Sequence, residues 1–201
     1  LLVLLALLMI ANMRNFLTIL PTLTDCLSRW KANVNMEANV HLSISRNYSA
    51  LIAFLPFCLL AARFDLFPIG FVGAVPEGYR TLAVMGVVLC YALLRQLAFY
   101  SFSLRAPKPD MFRTIHFSSY NYFLIATLLL MVLDMVMLLA RCPDETIRSV
   151  SIYATGAVYL LSLARKYQLF TSYCNPFQTF LYLCGLEFIP TGALIAAVVL
   201  L

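Results

Sequence analysis

Residues 177–201 form an apolar segment long enough to cross a bilayer, because about 20 apolar residues suffice for a membrane-spanning helix. The segment nevertheless carries Glu187 near its middle and Pro190 about one turn later. An acidic side chain at the centre of a membrane helix costs about 2.5–3.5 kcal/mol or more. A proline removes a backbone donor, so Pro190 is predicted to kink the helix. The rest of the chain must therefore supply a partner for Glu187, and Arg95 is the predicted one.

The composition indicates that most of this chain lies in a lipid bilayer. It is 63% hydrophobic and 11% charged, whereas soluble domains average about 25% charged residues. The fold class predicted is an all-α polytopic transmembrane helical bundle of about six helices, in a single domain covering residues 1–201. The net charge of +5 is interpreted as a signal of topology and of contact with membrane lipids. No nucleic-acid partner is predicted.

Six apolar segments are the predicted spans. Pro21 is expected to close the first helix, and Pro56 to kink the second. The first segment is interpreted as a truncated membrane helix in preference to a cleaved signal peptide. The predicted spans lie near residues 1–20, 48–64, 81–104, 119–140, 147–163 and 177–201.

The longest polar connection covers residues 22–47. Within it, Leu27, Trp30 and Val34 are spaced to share one helical face, which favours an amphipathic helix lying at the membrane interface. Residues 41–45 are expected to be irregular.

Two further connections have distinctive compositions. Residues 67–79 are rich in proline and glycine and still apolar, which favours an interfacial loop or a re-entrant turn. Residues 105–118 are predicted to form a basic loop, because Pro107 and Pro109 oppose a helix there.

Orientation is predicted from the lysines and arginines of the loops. Eight lie in the first, third and fifth loops (Arg29, Lys31, Arg46, Arg105, Lys108, Arg113, Arg165, Lys166) and three in the second and fourth (Arg80, Arg141, Arg148). The positive-inside rule places the odd-numbered loops in the cytoplasm and both termini outside.

Charged residues inside the spans define a candidate intramembrane polar cluster. At about 1.5 Å per residue, Arg95 and Glu187 lie roughly 14 Å and 15 Å from the cytoplasmic ends of their spans, which predicts an ion pair. Asp134 lies roughly 22 Å in and is expected to face an outward polar pocket near Arg63, Arg80 or Arg141. Polar residues at helical spacing complete the candidate cluster, whose members are Arg95, Asp134, Glu187, Tyr91, Thr127, Thr155 and Tyr159. Three interpretations stay open: structural pairing that fixes helix register, a functional cavity for an ion, a proton or a small amphipath, and catalysis.

No pattern in the sequence indicates a catalytic, metal or cofactor site. The six cysteines form no C-x-x-C pair, and only two histidines, His41 and His116, are present. There is no H-E-x-x-H motif and no glycine-rich phosphate loop. We therefore predict no catalytic residues, metal or cofactor, and we favour a protein that is not an enzyme.

Two segments carry a resemblance to a known family. They are S-R-N-Y-S-A-L-I-A-F-L-P, which begins at Ser45, and F-Q-T-F-L-Y-L-C-G-L-E-F-I-P, which begins at Phe177. Together they resemble an uncharacterised family of multi-pass inner-membrane proteins in Bacteroidota, a domain of unknown function of the 4271 type. The core F-L-Y-L-C-x-L-E-x-x-P is its most specific part and includes Glu187 and Pro190. The resemblance implies a location in the bacterial inner membrane and no established activity.

Three functions are compatible with these observations. The leading hypothesis is a non-enzymatic subunit or accessory factor of an envelope complex, because the short loops leave most recognition surface inside the membrane. The alternative is a small transporter or proton-coupled channel that uses Glu187, Arg95 and Asp134. The third is a membrane enzyme that acts on lipid substrates.

Overall fold

The computed structural model describes residues 2–67, 75–103 and 109–200. All regular structure in these ranges is helical, which confirms the predicted fold class. Seven helices follow one another in the described ranges: α1 Leu2–Ser28, α2 Trp30–Ala38, α3 Val40–Arg63, α4 Glu77–Ser103, α5 Pro109–Leu139, α6 Asp144–Thr171, and α7, which consists of Pro176–Leu183, a π-helical turn at Cys184–Phe188, and Ile189–Leu200.

Five helices in the described ranges are long and apolar enough to cross a bilayer. They overlap the second to sixth predicted spans. The first predicted span lies within α1, and its passage through the membrane stays a prediction. The five candidate spans are Val40–Arg63, Gly78–Ser103, Phe112–Leu139, Asp144–Thr171 and Pro176–Ala196.

Helix α5 lies at the centre of the bundle. Its buried residues contribute to the packing of every other helix: Leu124 packs with α1, α2 and α3, Leu130 with α3, α4 and α6, and Phe112 with α6 and α7. Small residues such as Ala53 and Ala61 are buried on α3, and small residues let helices approach closely in a membrane protein.

The polar connection after the first helix differs from the prediction. Pro21 lies inside α1, which continues to Ser28. The chain then breaks at Arg29, whose backbone is extended, so Leu27 does not share a helix with Trp30 and Val34. Both Trp30 and Val34 pack against the bundle, whereas the sequence predicted a face turned towards lipid headgroups.

Helix α3 begins earlier than predicted because Asn39 caps it. The Asn39 side chain accepts hydrogen bonds from the backbone N–H groups of His41 and Leu42, which satisfies two of the donors left free at a helix start. Residues 41–45, predicted to be irregular, are therefore helical.

The predicted limits of two later spans are also wrong. Pro109 is the first residue of α5, a position where its missing N–H costs nothing and its fixed φ suits the helix, so residues 109–118 are not a loop. Helix α6 runs to Thr171, well past the predicted end at residue 163. Most of the predicted loop at 67–79 and residues 104–108 lie outside the described residues.

The first two helices are tied to the bundle by polar contacts. Arg165 of α6 donates two hydrogen bonds to the carbonyl oxygen of Leu27, at 2.7 Å from Nη2 and 3.2 Å from Nε. A cation at that point complements the free carbonyls of the α1 terminus. Asn121 of α5 donates to Asn33 of α2 at 2.8 Å.

Candidate functional site in the bundle interior

Glu187 lies in the π-helical turn of α7. The backbone N–H of Ile189 donates to the carbonyl of Cys184, five residues back, which makes this turn wider than an α-helical one. Pro190 follows directly, and a proline in a regular helix lacks an N–H and clashes with the carbonyl four residues before it. The wider turn accommodates the proline and presents Glu187 to the interior, where it is 3% exposed. A kink angle at Pro56 or Pro190 stays a prediction.

Two cations contact the same oxygen of Glu187. Its Oε1 lies 2.9 Å from Nη2 of Arg95 on α4 and 2.6 Å from Nζ of Lys166 on α6. Arg95 also donates a hydrogen bond to the hydroxyl of Ser119 on α5. The group of Arg95, Lys166 and Glu187, which we call the charge cluster, therefore joins three helices directly and a fourth through Ser119.

Lys166 was assigned to a loop by the sequence analysis, and that assignment is wrong. Its side chain is 3% exposed, within the last two turns of α6. The sequence contains a signal for this burial, because polar residues recur three or four positions apart along α6, at Ser151, Thr155, Tyr159 and Ser162, and residue 166 continues that spacing.

Three hydroxyl groups pack beside the charge cluster. The hydroxyl of Thr191, one turn after Glu187, lies 2.9 Å from that of Tyr159 and 3.4 Å from that of Tyr91. Tyr91 lies one turn before Arg95 on α4. The three hydroxyl groups therefore form a second contact among α4, α6 and α7, next to the charge cluster. Four members of the candidate cluster, Arg95, Glu187, Tyr91 and Tyr159, are thus brought together.

The other three members of the candidate cluster lie elsewhere. Ser151 donates to Oδ1 of Asp134 at 2.6 Å, and within the described ranges Asp134 forms no ion pair. Two of the three arginines expected near it pair with other acids: Arg63 lies 3.8 Å from Asp144, and Arg80 lies 2.7 Å from Asp65.

Thr127 and Thr155 use their hydroxyls inside their own helices. Each donates to the backbone carbonyl four residues earlier, at 2.9 Å for Thr127 and 2.8 Å for Thr155. Such bonds satisfy a hydroxyl in an apolar environment without a partner helix.

A second buried ion pair was also assigned to a loop. Arg46 on α3 is 1% exposed and lies 2.9 Å from Glu37 on α2. Without Arg46 and Lys166, six of the lysines and arginines remain on the predicted cytoplasmic side against three on the other side, so the predicted orientation is unchanged and stays a prediction.

A small recess opens beside the charge cluster. It is lined by Arg95, Phe99, Ile115, His116, Leu186 and Glu187. The His116 ring stacks on Phe99 with their centroids 4.2 Å apart. Arg95 Nε is buried with no hydrogen-bond partner in the described part of the chain. In the same part, no three His, Cys, Asp or Glu side chains come together to hold a metal ion.

Five long apolar helices around a buried charge cluster define a multi-pass membrane protein. The chain matches the family described as a domain of unknown function, DUF4271, over residues 1–198. The protein belongs to that family, which confirms the resemblance found in the sequence. No curated protein and no solved structure matches the chain.

Proposed function

We propose that this protein is a non-enzymatic subunit or accessory factor of an envelope complex in the bacterial inner membrane, and that α4 is the surface that meets its partner. The supporting observation is the burial of α4. Only 6% of its most apolar window is buried by the rest of the chain, against 22–44% for the other four candidate spans. A helix this poorly covered offers a long intramembrane face to another protein.

The outer face of α4 suits a protein partner better than lipid alone. Gln96 is exposed on it and makes no hydrogen bond to the described residues. A side-chain amide facing hydrocarbon loses its hydrogen bonds, and such groups bond across helices in membrane proteins. Gly86 is exposed on the same helix, and a Cβ added there would meet no atom within 4 Å. A second helix therefore has room to approach the α4 backbone.

The charge cluster is interpreted as an intramembrane packing device. Arg95 and Lys166 both bond to Glu187, Arg95 also bonds to Ser119, and the neighbouring tyrosines bond to Thr191. Polar contacts that join these helices fix the register of α4, α6 and α7. It supports a scaffold role for the chain.

A transporter is the second candidate, and one observation favours it. π-Helical turns are often found at functional sites, and here the turn carries a buried acid beside a recess. This candidate requires a water path to Glu187, which accessibility labelling of a Thr191→Cys variant, one turn after Glu187, measures.

Photo-crosslinking from α4 tests the leading proposal. A photoreactive residue at Leu93 or Leu97, both exposed on α4, is expected to yield one reproducible protein adduct in membranes of the source cell. The matched control is the same residue at Val132, which is equally exposed on α5. Adducts to lipid alone from α4, or the same protein adduct from Val132, would contradict the proposal.

A pair of substitutions tests the role of the amide. Gln96→Leu is expected to reduce the recovery of the partner in mild detergent about tenfold, because one interhelical hydrogen bond is worth about 1–2 kcal/mol. Gln178→Leu, the same change at an exposed position of α7, is expected to leave recovery unchanged. Intact-complex mass spectrometry measures both, and a lone monomer in the unsubstituted protein would contradict the proposal.

A further inference from the structure

The charge cluster carries one more positive than negative charge. Arg95 and Lys166 both contact Oε1 of Glu187, and one carboxylate balances only one of them. A net charge held among apolar helices is costly unless another group compensates it. Since Arg95 and Glu187 both line the recess, a compensating anion has direct access to the cluster.

The recess has the chemistry of an oxyanion site. Arg95 Nε is a buried donor with no partner, and His116 adds an imidazole to the same wall. A guanidinium group matches a carboxylate or phosphate through directed hydrogen bonds. A single bound oxyanion would therefore accept a hydrogen bond from Nε and balance the excess charge.

The walls of the recess indicate what carries that oxyanion. Phe99, Ile115 and Leu186 are apolar and lie beside the cations. The closed part has room for about one water-sized group, so one oxygen of a head group enters it, and the rest of the head group and its tail lie at the mouth of the recess. Arg95 lies eight residues from the end of α4, roughly 12 Å from it along the helix, a depth that an apolar chain reaches more easily than a free ion.

We propose that this recess binds the carboxylate or phosphate head of an anionic amphiphile, with Arg95 as the principal contact and His116 as the second. The excess charge of the cluster is the source of affinity, and the apolar walls select a ligand with a hydrocarbon tail. This site is separate from the outer face of α4, so its test does not depend on a protein partner.

The test measures thermal unfolding of the whole purified chain in a neutral maltoside, after removal of co-purified lipid. Oleate and dodecyl phosphate are expected to raise the melting temperature by several degrees at about a hundredfold excess over the dissociation constant. Dodecanol, acetate and inorganic phosphate are the matched probes that lack the charge or the tail, and no shift is expected from them. An equal shift from dodecanol, or a shift from acetate or inorganic phosphate, would overturn the proposal.

The Arg95→Gln substitution tests whether the amphiphile binds in the recess. It leaves Lys166 and Glu187 as a balanced pair, so the variant is expected to fold and to bind oleate at least about tenfold more weakly. Arg80→Gln, on the same helix but outside the recess, is expected to bind as the unsubstituted protein does. If Arg95→Gln does not give monodisperse protein, His116→Phe replaces it, because the phenyl ring keeps the stacking on Phe99 and removes the ring nitrogens. Unchanged affinity in the variant used would overturn the proposal.

Discussion

Nζ of Lys166 lies 2.6 Å from Oε1 of Glu187, which also lies 2.9 Å from Nη2 of Arg95. Lys166 and Glu187 are both almost fully buried, and they come from different helices. The acid of the terminal helix is therefore held between two cations. The cluster holds two positive charges and one negative charge. We therefore expect substitutions of its three residues to differ in their effect on stability.

Removing Glu187 is expected to be far more destabilising than removing either cation. Glu187→Gln leaves Arg95 and Lys166 buried with no counter-charge, and an uncompensated buried charge costs about 3–5 kcal/mol. Lys166→Met leaves Arg95 and Glu187 as a neutral pair and is expected to change the melting temperature little. Scanning fluorimetry in mild detergent compares the variants, and equal losses for both would contradict the unequal roles.

Exchanging the charges of Arg95 and Glu187 is expected to fail. With Arg95→Glu and Glu187→Arg together, the cation introduced in the π turn would face Lys166, and two like charges in a buried site repel strongly. Adding Lys166→Met removes the repulsion and is expected to restore monodisperse protein. Size-exclusion profiles of the double and triple variants measure this. A well-folded double variant would show that Lys166 does not act on residue 187.

Gly185 is expected to be essential for the packing of the π turn. A Cβ built at Gly185 overlaps the ring of Phe102 on α4, so Gly185→Ala forces that ring to move and is expected to cost about 1–3 kcal/mol. Gly192→Ala in the same helix is the control, because a Cβ there meets no atom within 4 Å. Phe102→Leu combined with Gly185→Ala is expected to recover stability. No difference between the two glycine variants in thermal unfolding would contradict the close contact.

The pair of Arg46 and Glu37 is expected to hold α2 against α3. Arg46→Met removes the buried partner of Glu37. The other cation near Glu37 is Arg113, which lies 3.5 Å away and is largely exposed. The expected cost is about 3–5 kcal/mol, and Arg46→Met with Glu37→Met should cost less because no charge is left unpaired. A double-mutant cycle on melting temperatures measures the coupling. Additive effects of the two substitutions would show that the pair contributes nothing.

Cys142 and Cys174 are expected to lie on opposite sides of the membrane. They occupy the turns before and after α6, a candidate span, and the charge bias of the loops places Cys174 in the cytoplasm. A membrane-impermeant maleimide applied to intact cells should label Cys142 alone, in variants that retain one of the two cysteines. Labelling of Cys174 without permeabilisation would show that the orientation is the reverse of the predicted one.

Cys26 supplies an internal control for that labelling. Burial, with a smaller contribution from the carboxylate of Asp25, raises the pKa of the Cys26 thiol to about 12. Because maleimides react with the thiolate, Cys26 is expected to stay unlabelled from about pH 7 to 9, where the reaction of an exposed thiol with an ordinary pKa accelerates. Mass spectrometry of labelled peptides measures both rates. Labelling of Cys26 at the rate of Cys142 would show that α1 separates from the bundle.

The sequence predicted the helices better than their ends. Spans follow from the hydropathy of about 20 consecutive residues, which is a local property. The all-helical fold could therefore be predicted from the sequence. The ends depend on capping and packing: Asn39 caps α3 earlier than hydropathy indicates, and α6 continues past residue 163 with Lys166 buried against Glu187. A lysine after an apolar run has the same local pattern whether it faces water or a buried acid.

By itself the sequence determined the class of the protein, its family and the presence of a buried acid that needs a partner. The class and the buried acid follow from composition and from the cost of charge in hydrocarbon, and the family follows from the match over residues 1–198. The tertiary structure alone decided that Lys166 shares Glu187 with Arg95, that Asp134 is bonded to Ser151, and that Thr191 joins Tyr91 and Tyr159. Each of these contacts joins residues of different helices, and their distances depend on how the helices rotate and pack, which no single segment specifies.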